Sequence, residues 1–199
     1  GSFTDPRDGQ IYSVVLIGDQ VWMAENLKST VFNDGTEIPL ITDNTEWAAL
    51  TTPAFCWYKN DYDTYGTTYG ALYNWYTVNT GKLCPTGWHV PSDSEWTNLA
   101  DYLGGTSVAG GKLKETGTSH WLSPNKEATN AFGFTALPGG LRGVYDGGFY
   151  QSTMVGFWWS SMEYSSIYAW NFYMQTYNTM LVENFIEKGD GLSVRCLRD

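Results

Sequence analysis

The residue types that most suggest chemistry lie together in the stretch LCPTGWHVPSDSEW, residues 83–96, where Cys84 and His89 precede Ser92 and Glu95. A Cys near a His suggests a nucleophile and its base, but no regular element would hold these two residues in that geometry across Pro-Thr-Gly-Trp. Ser92 and Glu95 instead have the S-x-x-E spacing of a helix capping box, in which each side chain accepts a hydrogen bond from the other residue's backbone N–H. We therefore interpret the stretch as the entrance to a helix.

Other catalytic patterns are scarce in this sequence. His89 and His120 are its only histidines, and it contains no HExxH, GxSxG or P-loop motif, which leaves zinc, triad and nucleotide chemistry without support. Two carboxylates that meet only in the folded chain would serve glycoside hydrolysis, and Cys56 is a candidate free thiol for redox chemistry. An oxidative or hydrolytic enzyme therefore stays an alternative to a non-catalytic protein.

An acidic loop at residues 60–66 is a candidate calcium site. Asp61 and Asp63 fit the first and third positions of an EF-hand loop, but Leu72 stands where that loop needs a bidentate Glu. A looser set of oxygen ligands from Asn60, Asp61 and Asp63 is the metal site that the sequence offers. The alternative is a turn in which these side chains bond their own backbone.

The C-terminal third mixes Trp and Tyr with Ser, Asn and Thr, most densely at residues 156–185. Tyr and Trp offer large contact areas at low entropic cost, and Ser and Asn adapt their hydrogen bonds, as in the binding loops of recognition proteins. Trp158, Trp159 and Trp170 are alternatively core residues. The candidate ligand-binding residues between and beyond them are Tyr164, Tyr168, Asn171, Tyr173 and Tyr177.

Composition limits the class of protein. The chain has 199 residues, a formal net charge of −10 and 17% aromatic residues, which indicates one globular domain over residues 1–199. The absence of a basic stripe disfavours nucleic acid and anionic membranes as partners, and no apolar run is long enough to span a bilayer. Because the chain begins with Gly1 rather than Met, its start is either processed or engineered, and we suspect an exported precursor that has lost its signal.

Three cysteines leave two interpretations open. Cys84 precedes the expected helix and Cys196 lies in the last expected strand, so a disulfide between them would fasten the C-terminus to the body of the domain. The alternative is three buried, reduced cysteines.

Residue periodicity indicates an α+β plan. A β-hairpin is expected at about 10–24, with Gly18-Asp19 as its turn, and a short helix at 43–50. Two principal helices are expected, one of about three turns at 69–76 and one at 93–103 that ends at Gly104-Gly105. Beyond about residue 105, long irregular loops and short antiparallel strands are expected to form a twisted sheet.

Six ordered motifs resemble the signatures of the Fibrobacter succinogenes major paralogous domain: DGQIYSVVLIGDQVWMAENL, YGALYNWYTV, LCPTGWHVPSDSEW, GFTALPGGLRG, GFWWSS and GLSVRCL. The resemblance implies a C-type-lectin-like fold, related to that of formylglycine-generating enzymes. It also implies an exported or lipid-anchored surface protein of Bacteroidetes or Fibrobacteres, and it supports the Cys84–Cys196 bridge. Of the lectin calcium motifs, the chain has only Trp170-Asn171-Phe172, without the acidic third residue.

These observations favour a non-catalytic binding or adhesion module on the cell exterior or outer-membrane surface. Its expected partner is a glycan or a surface protein, and calcium is its candidate cofactor. A structural, self-associating subunit of the cell envelope is a further alternative.

Overall fold

Five helices and twelve short strands make up the computed structural model, which describes residues 1–199. The helices are α1 (Asn44–Ala48), α2 (Thr67–Tyr69), α3 (Trp75–Val78), α4 (Asp93–Tyr102) and α5 (Thr106–Leu113). The strands are β1 (Ser2–Thr4), β2 (Ile11–Ile17), β3 (Gln20–Met23), β4 (Phe55–Cys56), β5 (Leu72–Tyr73), β6 (Trp88–His89), β7 (Leu141–Arg142), β8 (Phe149–Tyr150), β9 (Val155–Glu163), β10 (Tyr168–Gln175), β11 (Val182–Glu187) and β12 (Leu197–Arg198). Tyr58–Asn60 and Tyr62–Gly66 form a 3₁₀ and a π turn.

The strands form several small antiparallel sheets rather than the one twisted sheet that the sequence predicted. A five-stranded sheet has the order β1-β2-β3-β12-β6, and a three-stranded sheet has the order β11-β10-β9. β4 pairs with β5, and β7 pairs with β8. The mixture of helices with separate antiparallel sheets confirms the α+β class.

The predicted N-terminal hairpin is confirmed. β2 pairs with β3 from Val14 opposite Met23 to Ile17 opposite Gln20, which leaves Gly18-Asp19 as a two-residue turn. Gly18 has a φ of 63°, the positive value that the first position of a type II′ turn requires.

The stretch at residues 83–96 leads into α4, as the capping box predicted. The Ser92 hydroxyl accepts from the Glu95 amide, and the Glu95 carboxylate accepts from the Ser92 amide at 2.8 Å. His89 lies between two carboxylates, with Nε2 2.9 Å from Glu95 and Nδ1 2.6 Å from Asp199. Trp96, one residue after the box, is fully buried in the core. The chemistry-bearing residues of this stretch therefore serve structure.

The helix predicted at 69–76 is wrong. α2 ends at Tyr69, because Gly70 has a φ of 78° and approaches the backbone of residues 26–27 so closely that a Cβ there would lie 2.8 Å from the Leu27 carbonyl oxygen. The chain then runs as β5, and Asn74 caps the separate helix α3. The i, i+4 spacing of aromatic residues had suggested one face of a helix, but backbone contacts in the fold decided the conformation.

A second helix, α5, was missed beyond residue 105. Gly110 and Gly111 obscure its periodicity, yet both are needed, since Cβ atoms there would lie 2.2 Å from the Met180 oxygen and 2.9 Å from the Glu127 oxygen. The helix packs directly against backbone at Gly110 and Gly111, and it buries Ala109 and Leu113 in the core.

The predicted disulfide between Cys84 and Cys196 is confirmed. It joins the loop before β6 to the residue before β12 and closes a sequence separation of 112 residues. Cys56 is reduced and buried. No helix in the structure has the length and apolar character needed to cross a membrane.

Candidate functional site

A surface cleft of about 450 Å³ lies between the loop that joins β7 to β8 and the edge of the three-stranded sheet. Six of its eleven lining residues are hydrophobic, and three of the others are acidic. We call it the aromatic–acidic cleft. Its lining residues are Leu141, Gly143, Tyr145, Asp146, Tyr150, Gln151, Tyr168, Phe185, Ile186, Glu187 and Asp190.

Arg142 fixes the loop that forms one wall of this cleft. Its fully buried guanidinium lies between the rings of Trp47 and Phe149, with its central carbon 4.5 and 4.8 Å from their centroids. It donates hydrogen bonds to the Gly147 oxygen at 2.9 Å and to backbone oxygens of residues 41–43. The cation thus ties residues 143–150 to a distant loop, with cation–π contacts on both sides.

Gly147 is the one position of this loop where only glycine fits. Its φ is 66°, and a Cβ there would lie 2.2 Å from the Asn44 carbonyl oxygen. The loop therefore packs on the start of α1, so the cleft wall does not depend on side-chain contacts alone.

Aromatic rings form the apolar part of the cleft and continue beyond it. Tyr145 is 84% exposed, and Tyr150 and Phe185 are also exposed. Phe185 contacts the Tyr168 ring at 5.7 Å and is stacked on Tyr164, with centroids 4.2 Å apart and planes 5° from parallel. Exposed faces of this kind can stack on a flat apolar group or a sugar ring.

Two of the three acids are held by tyrosine hydroxyls. The Tyr145 hydroxyl donates to Glu187, and the Tyr150 hydroxyl donates to Asp146. The Tyr150 hydrogen bond lowers the pKa of Asp146, and both contacts raise the pKa of the tyrosines. Each pair places a carboxyl group beside an aromatic ring.

Asp190 is the buried acid at the base of the cleft. It is 6% exposed, and its Oδ1 accepts from the Val144 amide at 2.8 Å. Burial raises its pKa to about 7, a shift that the nearby Glu187 charge increases. Near neutral pH, Asp190 therefore exchanges between a hydrogen-bond donor and an ionised acceptor, whereas the other two acids are near the surface.

The structure brings only two of the five predicted ligand residues together. Tyr164 and Tyr168 both contact Phe185, and Tyr168 lines the cleft. Tyr173 packs against the core near Phe157, and Tyr177 is exposed in the turn after β10. These latter two do not join the cleft.

The prediction of Asn171 as a ligand-binding surface residue is wrong. It is fully buried, opposite Trp159 in β9, and its side-chain amide has no hydrogen-bond partner in the protein. It has no surface to offer a ligand. Trp158 and Trp159 are core residues, as the alternative interpretation held, while Trp170 is half-buried and contacts the exposed Tyr164 ring.

Two of the three candidate calcium ligands bond to separate groups of the protein. Asp61 accepts from the Thr64 amide at 2.9 Å, and Asn60 donates to the Thr42 oxygen at 2.9 Å. Asp63 is exposed. The bonds of Asp61 are those of the turn that the sequence offered as the alternative to a metal site.

The Cys56 thiol is fully buried next to Arg142, and burial raises its pKa to about 12. A thiol is nucleophilic as the thiolate, which is scarce at neutral pH with such a pKa. Cys56 therefore lacks the environment of a reactive cysteine.

The model of the Fibrobacter succinogenes major domain matches residues 15–198 of the chain, nearly its whole length. The chain belongs to this family. No curated protein and no solved structure matches it.

Most cleft residues of this Fibrobacter succinogenes major domain are not predicted by the sequence patterns. Tyr145, Asp146 and Tyr150 lie in the segment YDGGFY, where Asp-Gly between aromatic residues is a hairpin signal. That pattern would have placed the two tyrosines at one hairpin. Glu187 and Asp190 have no local signal, because the pairing of β11 with β10 and the turn that follows β11 bring them there.

Proposed function

We propose that this domain is a non-catalytic binding module that recognises a glycan or a protein at the aromatic–acidic cleft. The observation that carries the proposal is the concentration of exposed aromatic faces with Asp146 and Glu187 on one fixed surface, above the buried Asp190. Aromatic rings stack on apolar faces, and carboxylates accept hydrogen bonds from hydroxyl or cationic groups. Of the predicted ligand residues, Tyr164 and Tyr168 belong to this surface.

The same proposal includes the fold family and the location. The α+β plan and the N-terminal hairpin are consistent with a C-type-lectin-like fold. The Cys84–Cys196 disulfide supports an exported protein at the cell exterior or outer-membrane surface, because disulfides persist in oxidising compartments. A lipid anchor and adhesion to a glycan or to a surface protein follow from that location as parts of the proposal.

A binding screen with matched variants tests the proposal. The wild-type domain would be applied to glycan and peptide arrays in parallel with calcium and with chelator. Tyr150→Ala and Tyr168→Ala remove cleft rings, whereas Tyr62→Ala removes an exposed ring elsewhere. We expect the two cleft variants to lose roughly tenfold or more in affinity and the control to bind normally.

Equal binding by all three variants would refute the cleft as the site. Loss of binding with chelator would instead support the calcium site at Asn60, Asp61 and Asp63, and the matched variant Asp63→Asn would then abolish binding.

Hydrolysis at the same cleft is the second candidate. Asp190, with a pKa of about 7, lines the cleft beside Glu187, and an acid–base pair of carboxyl groups is what glycoside hydrolysis needs. Release of nitrophenol from aryl glycosides by the wild type, lost in Asp190→Asn, would favour the enzyme. If the aryl glycosides remain intact under conditions in which the domain binds its ligand, the non-catalytic binding module is favoured.

A further inference from the structure

Strand β11 has an unpaired edge. It is the last strand in the order β11-β10-β9. Just after β11, the Lys188 amide donates a hydrogen bond to the Ile167 carbonyl oxygen, on the side that faces β10. Because backbone groups alternate in direction along an antiparallel strand, the amides of Glu183, Phe185 and Glu187 point away from β10. None of these amides donates to an acceptor outside the sheet. The Glu187 carbonyl on this side accepts from the Asp190 amide, so the edge is available to another strand from Glu183 to Phe185.

The aromatic–acidic cleft runs along this edge. It contacts Phe185, Ile186 and Glu187, which are consecutive in β11. Phe185 and Glu187 share one face of the sheet, on which Tyr168 of β10 also lines the cleft, and Ile186 between them brings the cleft against the β11 backbone. Tyr145 and Tyr150 also line the cleft, and the Tyr145 hydroxyl reaches Glu187 of β11. The result is a groove between a free strand edge and two aromatic side chains.

We propose that this groove binds an extended peptide, which adds to β11 as a fourth strand and places a Lys or Arg side chain among the cleft acids. The proposal rests on the proposed function and names its ligand class. Main-chain hydrogen bonds to an exposed edge supply affinity in this mode of recognition, and pockets for side chains supply specificity. Tyr145 and Tyr150 would flank the added strand.

Charge selects a basic peptide. Asp146, Glu187 and Asp190 line the groove, and no Lys, Arg or His side chain does. Two cations adjoin lining residues in sequence: Arg142 is fully buried and bonds backbone oxygens, and Lys188 bonds Glu163 and the Ser166 oxygen. A guanidinium or ammonium group is the complement of such a site, because hydrogen bonds between ionised partners are the stronger ones.

The same charges oppose a second copy of this chain. Antiparallel pairing of two β11 strands centred on Phe185 would place Glu183 of each copy opposite Glu187 of the other, and like charges opposite each other in a sheet are destabilising. The net charge of −10 adds repulsion between copies. Acidic residues on an edge strand thus prevent self-pairing while leaving the edge open to a basic strand.

Calorimetric titration with synthetic heptapeptides tests the proposal. The probes are capped peptides of alternating Thr and Val with Arg, citrulline or Glu at the centre. We expect the Arg peptide to bind roughly tenfold more tightly than its neutral citrulline counterpart, and the Glu peptide not to bind. N-methylation of one alternate set of peptide amides should abolish binding, and methylation of the other set should leave it almost unchanged.

Variants of the protein provide the matched control. Glu187→Gln should lower the affinity for the Arg peptide roughly tenfold, whereas Glu37→Gln, the same change at an exposed site elsewhere, should leave the affinity unchanged. Equal effects of both methylation sets would overturn strand addition. If the domain binds array glycans but no peptide, this proposal is overturned and the proposed function stands. If it binds neither glycans nor peptides, both the proposal and the proposed function are overturned.

A concentration-dependent dimer in sedimentation velocity that Glu187→Gln strengthens would make a second copy the occupant and would likewise overturn the proposal.

Discussion

Replacing Asp190 by Asn should stabilise the protein, and increasingly so as the pH rises. Asn keeps an oxygen that can accept from the Val144 amide but cannot ionise. Asp190 is 6% exposed, and burial raises its pKa from 3.8 to about 7. The folded state therefore favours the protonated acid, and ionising it in place costs free energy of folding.

The sign and size follow from proton linkage. A pKa raised in the folded state contributes stability below the unfolded value, near pH 4, and this contribution is lost as the pH rises through about 7. Roughly three pKa units at about 1.36 kcal/mol each correspond to about 4 kcal/mol. The free energy of unfolding of Asp190→Asn should exceed that of the wild type by about 2 kcal/mol at pH 5.5 and by about 4 kcal/mol at pH 8.5.

Thermal unfolding followed by tryptophan fluorescence measures this difference, and both pH values avoid the pI of about 4.5. For a chain of this length, the widening gap of about 2 kcal/mol corresponds to about 4–8 °C in Tm. Asp63→Asn is the control, since it removes an exposed negative charge from the same acidic protein. The difference in Tm between Asp190→Asn and the control should widen as the pH rises. A difference that stays constant or narrows would refute a buried, neutral Asp190.

Three further changes have expected outcomes. Cys84→Ala with Cys196→Ala should lower the free energy of unfolding by about 2–5 kcal/mol in denaturant titrations, since the bridge closes a long loop, whereas Cys56 should resist thiol reagents until the protein unfolds. Ser92→Ala should cost about 1 kcal/mol in the same titration, because it removes the cap of α4, and an unchanged midpoint would contradict the capping role. Gly147→Ala should weaken binding of the Arg heptapeptide by displacing the loop of the cleft, and unchanged affinity would show that this loop is not needed.

Local signals in the sequence predicted the elements that depend on local chemistry. The turn at Gly18-Asp19 and the capping box of Ser92 and Glu95 act within a few residues, and the structure contains both. The aromatic residues at 69–76 had helical spacing, but the chain is broken there because Gly70 touches the backbone near Leu27, far away in sequence. Contacts between residues that are distant in sequence do not alter the local periodicity of residue types, so they cannot be predicted from it.

The candidate site was harder to predict for the same reason. Tyr164 and Tyr168 were identified from composition, but composition does not report which side of a strand faces solvent, and Asn171 proved to be buried. The acids at 187 and 190 meet Tyr145 only because β11 ends beside the β7–β8 loop. Such a site becomes visible once the strand order is known.

The most direct test of the central claim is a two-dimensional ¹H–¹⁵N NMR titration of the labelled domain with the Arg heptapeptide and, separately, with the strongest glycan from the array. A ligand in the aromatic–acidic cleft should shift the amide signals of residues 143–150 and 183–187. Shifts confined to the acidic loop at 60–66 or to the turn around Tyr177 would contradict the account.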